Sequence, residues 1–186
     1  RARSSEMWLE SRRPHLPPRN LPEMGDVPAP AITPGVLLSG VSLPSWPTGA
    51  MESLRSGRGP RVLVALHSAA CLECRRYIQT ELAPASEQLA QWGGGLAVVL
   101  PGFPDDGREL AGLIPGAIQL LGDPDEGVAL GSAMVIIVDE WGEVFFVANA
   151  GVGHDLPRSG DMAAWIRFLA IQCPECEGPE GDWRTV

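Results

Sequence analysis

A chain of 186 residues that is 45% apolar and 20% charged has the composition of a soluble globular protein with one core, and is too short for two domains of ordinary size. Its net charge of -9 repels polyanions, which argues against nucleic acid and anionic membrane surfaces as partners. All 14 of its Lys+Arg residues are arginine, so chemistry built on a lysine amine, from Schiff bases to the phosphate-binding lysine of a P-loop, is excluded.

Residues 1–34 lack apolar periodicity and carry Pro14, Pro17, Pro18, Pro22, Pro28, Pro30 and Pro34. Such a stretch favours extended polyproline-like structure. It reads as an arm or linker, basic at its start through Arg1, Arg3, Arg12, Arg13 and Arg19, and suited to wrapping a protein partner. No apolar run approaches the roughly eighteen residues of a membrane span, so no transmembrane segment is expected in the chain. It opens at Arg1, and location stays open, with an upstream signal, anchor or transit segment compatible with that start.

A single domain is expected over residues 35–172. Val36 to Leu38 and Val41 to Leu43 flank Ser39-Gly40 and predict a short hairpin at a sheet edge. Arg61 to Leu66 is a compact apolar run of the kind a central strand buried on both faces requires. A helix follows from Cys71 to Trp92, kinked or split by Pro84 and ended by Gly93-Gly94-Gly95. Leu96 to Leu100 predicts a second buried strand, and Asp105 to Leu113 a short helix with acids in its first turn. Met134 to Val138 and Val144 to Val147, joined through Asp139 to Glu143, predict an antiparallel hairpin. An amphipathic helix from Asp161 to Gln172 closes the domain. Residues 173–186 form an acidic tail with Glu175, Glu177, Glu180 and Asp182.

Four cysteines fall as two C-x-x-C pairs, Cys71/Cys74 and Cys173/Cys176. The first pair follows a buried strand and opens a helix, a context that suits disulfide exchange better than a metal site or an inert pair. Backbone amides and the helix dipole favour a thiolate on Cys71. Cys71 is the expected nucleophile, and Cys74, one turn further in, the thiol that attacks the mixed disulfide. Glu73 between them opposes negative charge on Cys71.

These residues resemble the thioredoxin superfamily, in particular its redoxin branch of alkyl hydroperoxide reductase and thiol-specific antioxidant type. Four fragments carry the resemblance over residues 25–172: Gly25-Asp26-Val27-Pro28-Ala29-Pro30, the strand and C-x-x-C of Val62 to Cys74, Leu121-Gly122-Asp123-Pro124-Asp125, and Val138-Asp139-Glu140-Trp141-Gly142. The resemblance implies an α/β thioredoxin-like fold, a central mixed sheet flanked by helices, and thiol-disulfide oxidoreductase activity on protein thiols or disulfides with no organic cofactor. It also marks departures. Ala133 stands where the family keeps a cis-proline that docks substrates, and Ala65 where thioredoxins place a buried aspartate. For the peroxidase members, Ser68 matches the hydroxyl residue of the peroxidatic loop. Val64 replaces its proline, and Phe145 stands near the position of the activating arginine.

Among other candidates, His67 lies four residues before Cys71, near enough to tune it, and His154 follows the last strand and is placed to line the groove. The second pair, Cys173 and Cys176, suits a local disulfide, free thiols, a second redox pair, or a zinc ion completed by ligands from a partner. A helix of twelve residues advances about 18 Å, and in the resembling fold it runs away from the first pair, which disfavours one four-cysteine zinc site. The reading is a thiol-disulfide oxidoreductase using Cys71 and Cys74. Its alternatives are a non-catalytic assembly or binding subunit with this fold and a peroxiredoxin-like peroxidase.

Overall fold

A computed structural model describes residues 32–55, 59–102, 107–124, 128, 132–151 and 154–172. The arm up to residue 31, the Gly25 to Pro30 fragment within it, and the tail with Cys173 and Cys176 lie outside the described residues.

The centre is β3 (Arg61–Ala65), whose last four residues are buried. Apolar side chains on both faces let it sit mid-sheet. On one side it pairs in parallel with β4 (Gly95–Pro101), which pairs in parallel with β5 (Gln119–Asp123); on the other it pairs antiparallel with β6 (Met134–Val138), which meets β7 (Val144–Asn149) antiparallel. The resulting order is β5-β4-β3-β6-β7, a mixed sheet as the resemblance implies.

Alternation along the strands divides the core into two layers. Val62, Val64 and Leu66 face the helices and join Cys74, Ile78, Leu89, Met162 and Ile166 in one cluster. Leu63 and Ala65 face the other way, toward Ile32, Leu38, Leu43 and Leu54. α1 (Leu72–Tyr77), a π-helical turn (Ile78–Leu82), α2 (Ala83–Ala90), α3 (Gly107–Ala111) and α4 (Ser159–Ala170) all place residues in the first cluster.

The expected hairpin around Ser39-Gly40 does not form. Instead β1 (Ser42–Pro44) pairs with β2 (Met51–Ser53) in a separate two-stranded sheet, while Leu37 bridges Glu143. Burial explains the difference: Leu38 and Leu43 are both needed beneath the second face of the main sheet. The chain still turns at Ser39-Gly40, with the Val41 N–H donating to Leu38 O at 2.9 Å, but the strand pairing forms across a second reversal at residues 45–50. There the Ser45 N–H donates to Ala50 O at 2.8 Å and the Gly49 N–H to Ser45 O at 2.7 Å. Gly49 takes the left-handed φ of 71° that the turn needs.

In the main sheet, β5 is the strand that periodicity does not predict, because Gly122 interrupts a very short apolar run. The long helix is broken upstream of Pro84, not at it. The Ala83 N–H reaches back five residues to the Ile78 carbonyl, and this wider turn seats Pro84 in the first turn of α2, where a missing N–H costs little. α4 begins two residues earlier than expected, with the Asp161 carboxylate accepting the Arg158 N–H at 3.1 Å.

Candidate active site

The site lies where β3 leaves the sheet. The Leu66 N–H still bonds Val99 O at 2.9 Å; beyond it the chain turns through His67 to Ala70 into α1, for which Cys71 is the N-cap residue. Several bonds hold that turn. The Ser68 hydroxyl accepts the Ala70 N–H at 3.1 Å, and Arg75 donates from Nε to Ala69 O at 2.8 Å and from Nη2 to Glu109 Oε2 at 2.6 Å.

Cys71 and Cys74 are both free thiols. The outer sulfur is half-buried, whereas Cys74 is only 2% exposed, because one helical turn carries it beneath α1 and onto the core. Burial is the main cause that pushes the Cys74 thiol up to about 12; the adjacent Cys71 adds to it, a backbone hydrogen bond from His67 opposes it, and the Glu73 charge adds slightly. Glu73 itself is exposed and lies 4.0 Å from Arg76.

Each sulfur has its own imidazole. Cys74 Sγ lies 3.6 Å from His67 Nδ1, and Cys71 Sγ lies 3.7 Å from His154 Nε2. The sequence places His67 beside Cys71, and its ring nitrogen does lie within 4.8 Å of that sulfur; its hydrogen-bonded neighbour is the buried Cys74, because His67 follows β3 beneath α1. The two rings are 5.1 Å apart and tilted by 49°.

His154 adopts φ 54°, a left-handed backbone that L-residues other than Gly, Asn, Asp and His seldom take. The turn is closed by the His154 N–H to Gly151 O at 3.0 Å and the Leu156 N–H to His154 O at 2.9 Å. A residue that sequence reasoning missed fixes this loop against α1: the Tyr77 hydroxyl donates to Pro157 O at 2.6 Å. Its only local signal is an aromatic residue near the end of α1. Burial raises the Tyr77 hydroxyl above its ordinary range.

Ala133 is 2% exposed and stands one residue before the Met134–Ala65 pair, so it flanks the turn that carries His67. Its carbonyl accepts the Ala150 N–H at 2.7 Å. Ala65, by contrast, faces the second layer. An acid there would not face Cys74, whereas the His67 ring does. Phe145 packs against the helical cluster as a half-buried side chain. Downstream of the site, α4 runs away from it: Ser159 meets Glu81 Oε2 through its N–H at 2.7 Å, while Arg167 near the far end lies over Trp92.

No family model matches the chain, and no curated protein matches it in sequence. Solved structures do. Peroxidoxin BcpB from Mycobacterium tuberculosis superposes with a TM-score of 0.59 at 18% identity, over 75% of this chain and 98% of that one. Reduced Prx3 from Vibrio vulnificus, solved with hydrogen peroxide, gives 0.58 at 20% identity over 73% and 96%. A Chlorobium tepidum protein provisionally named thiol:disulfide interchange protein DsbE gives 0.51 at 18% identity over 63% and 85%. Among the described residues no helix is long and apolar enough to cross a membrane. The fold of the chain is thioredoxin-like, similar to that of these solved structures.

Proposed function

We infer that the protein is a thiol-disulfide oxidoreductase that acts on protein thiols or disulfides through Cys71 and Cys74. The observation that carries this reading is the pair of free thiols one helical turn apart, the outer reachable and the inner buried, each beside its own imidazole. In the reducing direction, Cys71 transfers its proton to His154 and attacks a substrate disulfide, forming a mixed disulfide and releasing one substrate thiolate. Cys74 then passes its proton to His67 and attacks the Cys71 sulfur. The second substrate thiolate leaves, and a Cys71–Cys74 disulfide remains, to be reduced by an external dithiol. Exchange of this kind needs sulfur-to-sulfur attack and no organic cofactor.

The fold is equally that of peroxiredoxins, so a peroxidase is the competing enzyme. Val64 in place of the peroxidatic-loop proline and Phe145 near the place of the activating arginine weigh against it. A non-catalytic assembly subunit, with the arm wrapped on a partner, is the competing binding protein, and Ala133 in place of the docking proline is what favours it.

Single-turnover oxidation of the reduced protein separates the three. Mixed with equal concentrations of a small disulfide or of hydrogen peroxide, the protein is expected to lose its two N-terminal-pair thiols at least tenfold faster with the disulfide. Faster loss with peroxide points to the peroxidase. No loss with either reagent contradicts both enzymes and leaves the assembly subunit.

A further inference from the structure

We propose that in the reduced protein His67, Cys71, Cys74 and His154 together form a Cys2His2 site for zinc, and that zinc and the Cys71–Cys74 disulfide exclude one another. The four ligand atoms, one from each residue, all lie within 4.8 Å of one another. A tetrahedral zinc with bonds of about 2.3 Å to sulfur and 2.0–2.1 Å to nitrogen sets sulfur and nitrogen ligands roughly 3.5 Å apart. Two sulfur–nitrogen pairs, Cys71 with His154 at 3.7 Å and Cys74 with His67 at 3.6 Å, are already at that spacing. From separations of up to 4.8 Å, the remaining pairs close by at most about 1.5 Å to reach tetrahedral spacing, within reach of side-chain rotation.

The donor set has the right chemistry. Two thiolates and two imidazoles in a compact tetrad select a tetrahedral thiophilic ion over magnesium or calcium, which take oxygen ligands. Two thiolates neutralise the charge of the ion, so a buried Cys74 is compensated when the metal is bound. Cys74 is buried and the other three are half-buried, which leaves an entry path from the outer side. All four places in the tetrahedron are filled by protein, the arrangement of closed zinc sites rather than of those that keep a water.

The ligands are also the redox couple. Oxidation by a substrate disulfide takes two electrons from the zinc-bound thiolates: the Cys71–Cys74 bond forms, the substrate S–S bond breaks to two thiolates that take two protons from solvent, and Zn2+ is released. A disulfide sulfur is no zinc ligand of comparable strength, because the thiolate is the binding form. The site would therefore hold zinc only while reduced, and bound zinc would slow exchange at the dithiol without preventing it. Zinc binding itself needs only the reduced thiolates and does not rest on the exchange activity.

The full chain carrying Cys173→Ser and Cys176→Ser, reduced and anaerobic, is titrated with Co2+ and then Zn2+. One equivalent of cobalt with thiolate charge-transfer bands and the visible bands of a tetrahedral ion, displaced by zinc, is expected. X-ray absorption of the zinc form should give two sulfur and two nitrogen neighbours. His67→Ala and His154→Ala should each weaken zinc at least tenfold, and the same protein oxidised chemically to the Cys71–Cys74 disulfide, with an unchanged far-ultraviolet circular dichroism spectrum, should bind none. Three results would overturn the proposal: no stoichiometric binding, equal affinity in the histidine variants, or equal affinity in the oxidised protein. Because oxidation is chemical, loss of zinc binding is distinguishable from loss of exchange with substrate disulfides.

Discussion

His154 Nε2 lies 3.7 Å from Cys71 Sγ across 83 residues of sequence, and its backbone is held at φ 54° to put it there. A left-handed conformation costs a residue with a Cβ roughly 1–2 kcal/mol, and such outliers gather where side-chain placement matters to function. His154→Gly and His154→Ala both lose the imidazole, but only glycine takes the backbone without penalty. The glycine variant should be more stable than the alanine variant by about 1 kcal/mol, read from urea midpoints. Equal stability would mean that the loop relaxes out of the left-handed region.

The pairing of one imidazole to each sulfur divides the reaction. His154→Ala should slow formation of the mixed disulfide by about a hundredfold, the low end of what a positioned base contributes, and leave its resolution nearly unchanged. His67→Ala should do the reverse. Rapid quenching with an alkylating reagent, followed by mass analysis of the mixed disulfide, checks both steps. A variant that slows both steps equally would contradict the division.

Cys74→Ser should accumulate mixed disulfides on Cys71, and Cys71→Ser should accumulate none. The reason is access: the inner sulfur is 2% exposed and reaches an incoming substrate only through Cys71. Gel analysis without reductant after exposure to a disulfide-bonded protein reads the result. Equal trapping by the two variants would remove the assigned order of attack.

Burial of Cys74 also makes a pH prediction. Its thiol is pushed up from 9.0 to about 12, so between those values the unfolded chain gives up a proton that the folded chain keeps. The unfolded state then binds fewer protons, and reduced-state stability falls as pH rises through this window, by up to about 1.4 kcal/mol per pH unit for one proton. Tyr77, raised by burial as well, adds a fall of the same sign. In reductant, urea midpoints from pH 8 to 10.5 should decline, and Cys74→Ala should flatten the slope. An unchanged slope would contradict the assignment.

Trp165 packs against Phe146 and Phe168 with its buried Nε1–H lacking a hydrogen-bond partner among the described residues. A buried donor left unsatisfied costs about 1–3 kcal/mol. Trp165→Phe removes it along with some packing area, so the variant should unfold within about 1 kcal/mol of the parent. A loss above about 3 kcal/mol, typical of a deleted core aromatic, would show the indole to be satisfied in solution.

The strands β3, β4, β6 and β7 and the C-x-x-C were legible because each is a local pattern: a short apolar run or a fixed spacing. What the sequence hid was non-local. Leu38 and Leu43 have hairpin-like surroundings, yet their burial under the second face of the sheet decides how the segment runs. His67 is closer in sequence to Cys71 than to Cys74, but the direction in which the chain leaves β3, not residue count, determines that Cys74 is the sulfur within hydrogen-bond reach of its ring. Ala65 looked like a missing acid at the buried thiol; only the strand's alternation shows that it faces the opposite layer. The link between Tyr77 and the His154 loop joins residues 80 positions apart and has no signature that spacing could reveal.

The central claim is that Cys71 and Cys74 form an exchanging couple, and their reduction potential tests it most directly. The chain carrying Cys173→Ser and Cys176→Ser is equilibrated in glutathione redox buffers, acid-quenched, and its thiols counted by alkylation and mass spectrometry. The prediction is a reversible Cys71–Cys74 disulfide with a potential between about -270 and -120 mV, the span of dithiols that exchange with protein substrates. A couple that stays fully reduced throughout, or one below about -300 mV as structural disulfides are, would contradict it.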